Sequence, residues 1–226
     1  MYKSTDKDIR VALVDDHRLM LDGLKLLIDS MEGFTCSWHC EDPLQALGLV
    51  ETSPPDVLVA DITMPSRNGL ELIKDVRSLN KDLPVLVLSM HDESVYAQRA
   101  IKAGAKGYVM KGASNDELET ALKKVVEGGI AVSAVMGEKM IEAYTTGEDI
   151  TTDQGVERLS DREFEVYQLV GNCLSTSQIA DQLGISPKTV DVHKSKIRAK
   201  LDMRAGSSLT AHAIRWVEVQ KLAPKP

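Results

Sequence analysis

The chain has 226 residues, 43% hydrophobic and 27% charged, enough apolar material for one or two buried cores. The N-terminal MYKSTDKDIR has no apolar signal-peptide core, and no apolar run reaches the roughly 18 residues of a membrane-spanning helix. A cytoplasmic protein with no membrane partner is therefore expected. The net charge of −7 is uneven: residues 1–128 hold 15 Lys+Arg against 21 Asp+Glu, and residues 157–226 hold 11 against 8. An acidic front and a basic rear imply two domains with different partners, the rear one suited to a polyanion.

Five short apolar runs mark the first half: IRVALV (9–14), FTCSW (34–38), DVLVA (56–60), PVLVLS (84–89) and GYVM (107–110). Runs without polar alternation suit strands buried on both faces. Helical spacings lie between them, as in Leu19, Leu24, Leu27 and Ile28 after the first run. Asp42-Pro43 reads as a cap with a first-turn proline, and Ser114 with Glu117 as a capping box. Strand and helix alternate five times, which implies a doubly wound parallel sheet.

Cysteine usage fits a reducing compartment. Cys36 and Cys40 fall in a strand-like stretch, about 13 Å apart and too far for a disulfide. Alternation sets His39 on the opposite face, so buried apolar-like cysteines are expected rather than a metal site.

In such sheets ligands bind beyond the carboxyl ends of the strands. There the first run ends in Asp15-Asp16, the third in Asp61, the fourth in Ser89 and the fifth in Lys111. Polar strand ends are ordinary singly; complementary chemistry at four of them is not. Carboxylates are hard ligands for Mg²⁺, and one can also be a nucleophile that forms an aspartyl-phosphate. Lys111 and the metal would balance charge on a transferring phosphoryl group, and Ser89 would supply a hydroxyl donor.

Residues 9–128 resemble the receiver domain of two-component response regulators. Asp15-Asp16 match that family's acidic pair, and Asp61 through Gly69 match its D-x-x-M-P-x-x-x-G surround. Ser89, Tyr108 and Lys111 match its switch hydroxyl, switch aromatic and lysine. The resemblance implies a flavodoxin-like five-stranded sheet and phosphorylation of Asp61 by a sensor histidine kinase. It also implies Mg²⁺ held by Asp16, Asp61 and the main-chain carbonyl of Thr63, with Asp15 acting largely through water, and a rim shaped by Pro65 and Gly69. Only slow self-phosphorylation and self-dephosphorylation would follow, not turnover of a substrate. Gly112 follows Lys111 where many receivers have a cis-proline, and a non-proline cis bond costs several kcal/mol, so that feature does not carry over.

Residues 129–156 mix small and polar types and read as a linker, with a short helix over 134–144 and a flexible tether over 145–155. Beyond it the pattern is helical. Ser160 and Glu163 form a capping box, Ser175 caps a second helix closed by Gly184, and Ser186-Pro187 opens a third. A fourth holds Leu209, Ala213, Ile214 and Val217. On the third helix Val190, Ile197 and Leu201 share one face, and Lys188, Val192, Ser195, Lys196 and Ala199 the other.

Two short helices joined by L-G-I-S form a helix-turn-helix. With L-S-D-R-E, Q-I-A-D-Q-L, S-P-K-T-V, His193 and K-L at 200–201, residues 157–221 resemble the all-α, four-helix LuxR-type DNA-binding domain. Nearly the whole chain thus resembles the NarL/FixJ subfamily of response regulators. That implies a transcription regulator binding double-stranded DNA as a phosphorylation-dependent homodimer, with RNA polymerase as a further partner. Lys188, Thr189 and Lys196 are expected at DNA phosphates, and Asp191, Val192 and Ser195 at or near base edges. Two alternatives compete: a haloacid-dehalogenase-like phosphatase, against which Thr63 breaks the required D-x-D, and a phosphorylation-independent regulator with a vestigial receiver.

Overall fold

A computed structural model describes residues 8–64, 68–91, 93–146, 155–204 and 206–222. Pro65 of the expected rim loop and residues 147–154 of the expected tether lie outside them. The chain divides into two compact units, Met1–Glu138 and Lys139–Pro226.

In the first unit, strands β1 (Ile9–Val14), β2 (Phe34–Cys40), β3 (Val57–Ala60), β4 (Val85–Ser89) and β5 (Gly107–Met110) alternate with helices α1 (Arg18–Ser30), α2 (Pro43–Thr52), α3 (Gly69–Leu79), α4 (Glu93–Ala103) and α5 (Asn115–Val126). All strand pairs are parallel, in the order β2-β1-β3-β4-β5. The central strands are apolar throughout because both faces are covered. Val11, Leu13, Val57, Val59, Leu86 and Leu88 pack with Leu21, Leu24 and Ile28 of α1 and Leu118, Leu122 and Val125 of α5. Each such buried side chain contributes about 1.5–3 kcal/mol. Strand alternation turns Ala12, Val14, Leu58, Ala60, Val85 and Val87 to the other face. This strand order reverses direction between β1 and β3, and a crevice opens at their carboxyl ends.

The expected caps form. Asp42 accepts from Leu44 N–H, and Ser114 and Glu117 make a reciprocal capping box. Cys40 is buried, where desolvation pushes its thiol up to about 11; Cys36 is half-buried and Cys173 exposed. The pairing of β1 with β2 shifts register between Val11 and Ala12, with Ser37 the extra residue, which breaks strict alternation in β2. The described peptide bonds are all trans, Lys111–Gly112 included.

Residues 129–138, within the span expected as linker, belong to the first unit. Ala131 forms a parallel bridge with Gly107 along β5 and is 5% exposed. Helix α6 (Ala134–Thr146) follows, its start capped by the Ser133 hydroxyl, which accepts from Met136 N–H.

The second unit holds α7 (Asp161–Gly171), α8 (Thr176–Leu183), α9 (Pro187–Lys200) and α10 (Leu209–Leu222). Phe164, Tyr167, Val170, Ile179, Leu183, Val190, Ile197, Leu209, Ala213 and Trp216 form its core. Gly171 lets α7 approach α10 closely: a Cβ there would lie 2.6 Å from the Ala213 carbonyl oxygen. Gly184 adopts φ 62°, ψ 34°, and its N–H closes α8 on Ala180 and Asp181. Ser186 caps α9 and Pro187 occupies its first turn.

Candidate functional site

The carboxyl ends of β1, β3 and β5 bring Asp15, Asp61 and Lys111 together. Lys111 Nζ lies 2.6 Å from Asp15 Oδ2 and 2.9 Å from Asp61 Oδ2, and all three side chains are only 4% exposed. Asp61 Oδ1 also accepts from Ile62 N–H at 2.7 Å. Burial pushes the Asp61 carboxyl above its ordinary value, against the pull of Lys111. For Lys111, burial opposes the charge, but hydrogen bonding and attraction from Asp15 and Asp61 outweigh it and the pKa rises. The ammonium is thus held charged between two acids.

Asp16 and His17 complete the cluster. Ligand atoms of Asp15, Asp16, His17 and Asp61 lie within 4.8 Å of one another. Asp16 Oδ1 is buried and makes no hydrogen bond, although His17 Nδ1 is 2.9 Å away. Three converging carboxylates with one oxygen unsatisfied suit a hard divalent cation, whose charge would satisfy that oxygen. Asn68 is buried and caps α3, accepting from Leu70 N–H. Gly69 donates to Ile62 O at 2.8 Å, and any Cβ there would overlap the Asp61 carbonyl oxygen.

Ser89, Thr63 and Tyr108 meet around His91, a residue not singled out from sequence. His91 N–H donates to Ser89 Oγ (3.2 Å), its Nε2 lies 2.6 Å from Thr63 Oγ1, and its carbonyl accepts from the Tyr108 hydroxyl at 2.8 Å. The Tyr108 ring is buried, 2% exposed. Burial, then the Lys111 charge, holds the His91 pKa below its ordinary value, which favours a neutral ring.

In the second unit, α9 presents its polar side outward. Lys188, Asp191, Val192, Ser195 and Lys196 are exposed, and Thr189 is half-exposed with its hydroxyl 2.8 Å from that of Ser186. Val192, an apolar residue on a charged face, keeps 47% of its surface in water. The other cations of α9 include two with structural duties. Lys194 donates to Thr176 Oγ1 (2.7 Å), and Lys200 pairs with the buried Glu163 (2.6 Å). Arg162 ties α7 to the end of α8, donating to Leu183 O at 2.7 Å. The helix-turn-helix angle is thereby fixed from behind, while its outer face stays available.

Residues 11–123 match the model of the response regulator receiver domain, and residues 157–213 that of the bacterial regulatory proteins of the luxR family. The transcriptional regulatory protein DegU of Brevibacillus brevis is 32% identical, over 95% of this chain and 98% of its own. The chain belongs to the response regulators of the NarL/FixJ subfamily. The response regulator GacA of Pseudomonas aeruginosa is 30% identical over 92% of this chain and 96% of its own. Among solved structures, RcsB of Salmonella enterica serovar Typhimurium, bound to promoter rprA in the presence of a phosphomimetic, shares the fold. Its TM-score is 0.60 at 23% identity, covering 92% of this chain and 99% of that one.

This response regulator therefore pairs a receiver with a LuxR-type DNA-binding domain. No helix among its described residues is long and apolar enough to cross a membrane. The structure brings the sequence-expected Asp15, Asp16, Asp61 and Lys111 into one pocket, with Thr63, Ser89 and Tyr108 gathered beside it. Sequence reasoning missed His17, whose only signal is its place after two acids. It also missed His91, whose signal is a histidine two residues after the strand-end hydroxyl.

Proposed function

We propose that this regulator is phosphorylated on Asp61 by a partner sensor histidine kinase and that the phosphoryl group controls its binding to promoter DNA. The observation that carries the reading is the buried Asp15–Lys111–Asp61 arrangement, with Lys111 2.9 Å from the carboxylate that would react. In the transfer, an Asp61 oxygen forms a bond to phosphorus as the phosphorus–nitrogen bond of the donor's phosphohistidine breaks. Lys111 opposes the effect of burial on the Asp61 carboxylate, and afterwards neutralises a phosphoryl oxygen. Asp15, Asp16, Asp61 and the Thr63 carbonyl would hold Mg²⁺, which supplies Lewis-acid charge to the phosphoryl oxygens. Ser89 donates to the phosphoryl group, and the buried Tyr108 ring follows its movement. Slow self-phosphorylation from small phosphodonors and slow hydrolysis belong to the same chemistry.

The output is carried by α9. Lys188, Thr189 and Lys196 contact DNA phosphates; Val192 meets a thymine methyl; Ser195 and Asp191 lie at base edges. The molecule acts in the cytoplasm as a phosphorylation-dependent homodimer, its receiver (residues 9–128, with 129–138 packed into the same unit) and its DNA-binding domain (157–221) joined by the segment that runs on to 156, and works on RNA polymerase at its promoters. Promoter binding by the RcsB relative supports the DNA step.

Acetyl phosphate with Mg²⁺ should add one phosphate by intact mass and raise promoter affinity. Asp61→Asn should abolish both responses. Full labelling of Asp61→Asn would refute the assignment, and unlabelled wild type would favour a vestigial receiver.

A further inference from the structure

The segment leaving the sheet is fastened at two points, and both are parts of the switch. Ala131 O accepts from Tyr108 N–H at 2.7 Å, and Ala131 N–H donates to Lys106 O at 2.9 Å. This attaches the chain to the backbone of the switch aromatic itself. Two residues on, Ser133 N–H donates to Glu93 Oε1 at 2.8 Å across 40 residues of sequence. Glu93 is the first residue of α4, two positions after His91, whose N–H is bonded to Ser89 and whose carbonyl is bonded to the Tyr108 hydroxyl. Ser133 in turn caps α6 through Met136 N–H, and its carbonyl accepts from Gly137 N–H. Ser89 is thus bonded to His91, Glu93 two positions later is bonded to Ser133, and Ser133 starts α6, the helix that precedes the DNA-binding domain in sequence.

We infer that Glu93 is a positioning residue that latches the first turn of α6 when Ser89 and Tyr108 are drawn inward, so that phosphorylation of Asp61 is read out at Ser133. The Ala131 bridge is the hinge: it is buried and made only of backbone bonds. The Glu93 carboxylate is the latch. It is half-buried, it bonds to the one backbone N–H just ahead of the helix, and its charge favours a helix N-terminus. The inward Tyr108 ring and the closed latch occur in the same conformation, and Glu93 opens α4 two positions after His91, so a shift of His91 is passed on to the start of α4.

The inference rests on Asp61 phosphorylation, and its test separates the two. Amide hydrogen exchange is followed in the full-length chain, with and without acetyl phosphate and Mg²⁺, while intact mass reports phosphate on the same samples. Phosphorylation should slow exchange at Ser133, Met136 and Gly137 by on the order of tenfold, the scale of one charge-assisted hydrogen bond. Glu93→Ala should take up phosphate as well as wild type yet lose that slowing, with Ala131 and Tyr108 amides still protected. Glu93→Gln, which keeps the acceptor, should restore most of it. The phosphate-dependent gain in promoter affinity should shrink in parallel in Glu93→Ala. Phosphate uptake with unchanged exchange at 133–137 in wild type, or undiminished slowing in Glu93→Ala, would overturn the latch alone. No phosphate uptake in wild type would overturn the latch together with the function it rests on.

Discussion

The acidic pocket of the first unit and the basic helix of the second use charge in opposite ways. Asp15, Asp61 and Lys111 are buried to 4% exposure and satisfied by one another. Lys188 and Lys196 on α9 stand in water. Charges taken out of water must be compensated in place, so the pocket acts as a unit and its members are not interchangeable. Charges left in water cost little to hold and act one by one through released counterions. The first arrangement suits chemistry on one group; the second suits docking on a repetitive polyanion.

The contrast breaks or holds on Lys111→Met. Removing the cation leaves two buried carboxylates facing each other, and without divalent metal the first unit should lose about 3 kcal/mol. Added Mg²⁺ should recover part of that loss. Lys196→Ala, the matched change on α9, should stay within about 0.5 kcal/mol of wild type. Denaturant unfolding of both variants, with and without Mg²⁺, measures the difference; equal losses would erase the distinction.

On α9 the effects are smaller and separable. Val192→Ala should cost on the order of 1 kcal/mol at particular A·T pairs and little elsewhere. Lys188→Ala and Lys196→Ala should weaken all sequences alike and lower the salt slope by about one each. Binding-selection profiles at several salt concentrations would distinguish these patterns. A shifted base preference in Lys188→Ala with an unchanged one in Val192→Ala would reverse the assignment of the reading face.

Acid provides the mildest probe, followed here in the second unit. Burial, then the charges of Arg162 and Lys196, holds the His193 pKa below its ordinary 6.5, and its Nδ1 is buried without a hydrogen-bond partner. Glu163 is held below its ordinary 4.5: burial opposes this, but Lys200 and the Ser160 cap outweigh it. In both cases the unfolded chain takes up a proton that the folded unit resists. Their stability is therefore complete above pH 6.5 and 4.5 respectively, and is lost as pH falls through the lower folded values. Thermal unfolding of the full chain should show this unit's midpoint fall below pH 6.5 and fall more steeply below 4.5. A midpoint constant over that range would contradict it.

Much of this was legible before any coordinates. The five strands were readable because burial on both faces leaves uninterrupted apolar runs. The caps at Asp42, Ser114, Ser160, Ser175 and Ser186 were readable because one residue type at one spacing satisfies the helix-end amides. The convergence of Asp15, Asp16, Asp61 and Lys111 followed from parallel strands that end at one edge. His91 was not legible: its role depends on three partners that approach from β3, β4 and β5, and no period encodes that. The Ala131 bridge was equally hidden, since a single paired residue has no alternation to detect. The structural duties of Lys194 and Lys200 were hidden as well, because a helix wheel cannot know which cations are claimed by Thr176 and Glu163.

Gly69 has a consequence for tracing this protein's descent. The space beyond the Asp61 carbonyl has no room for a methyl group, so the alignment of Asp61 depends on a residue eight positions away that bears no functional group. A duplicated gene that kept every acid, the hydroxyl and the lysine but acquired alanine at this position would still look competent by inspection. Its strand end would be pushed out of line, and the copy would be signal-deaf. Among diverging copies of this gene, the glycine should be among the first positions to drift once the phosphate input is no longer under selection.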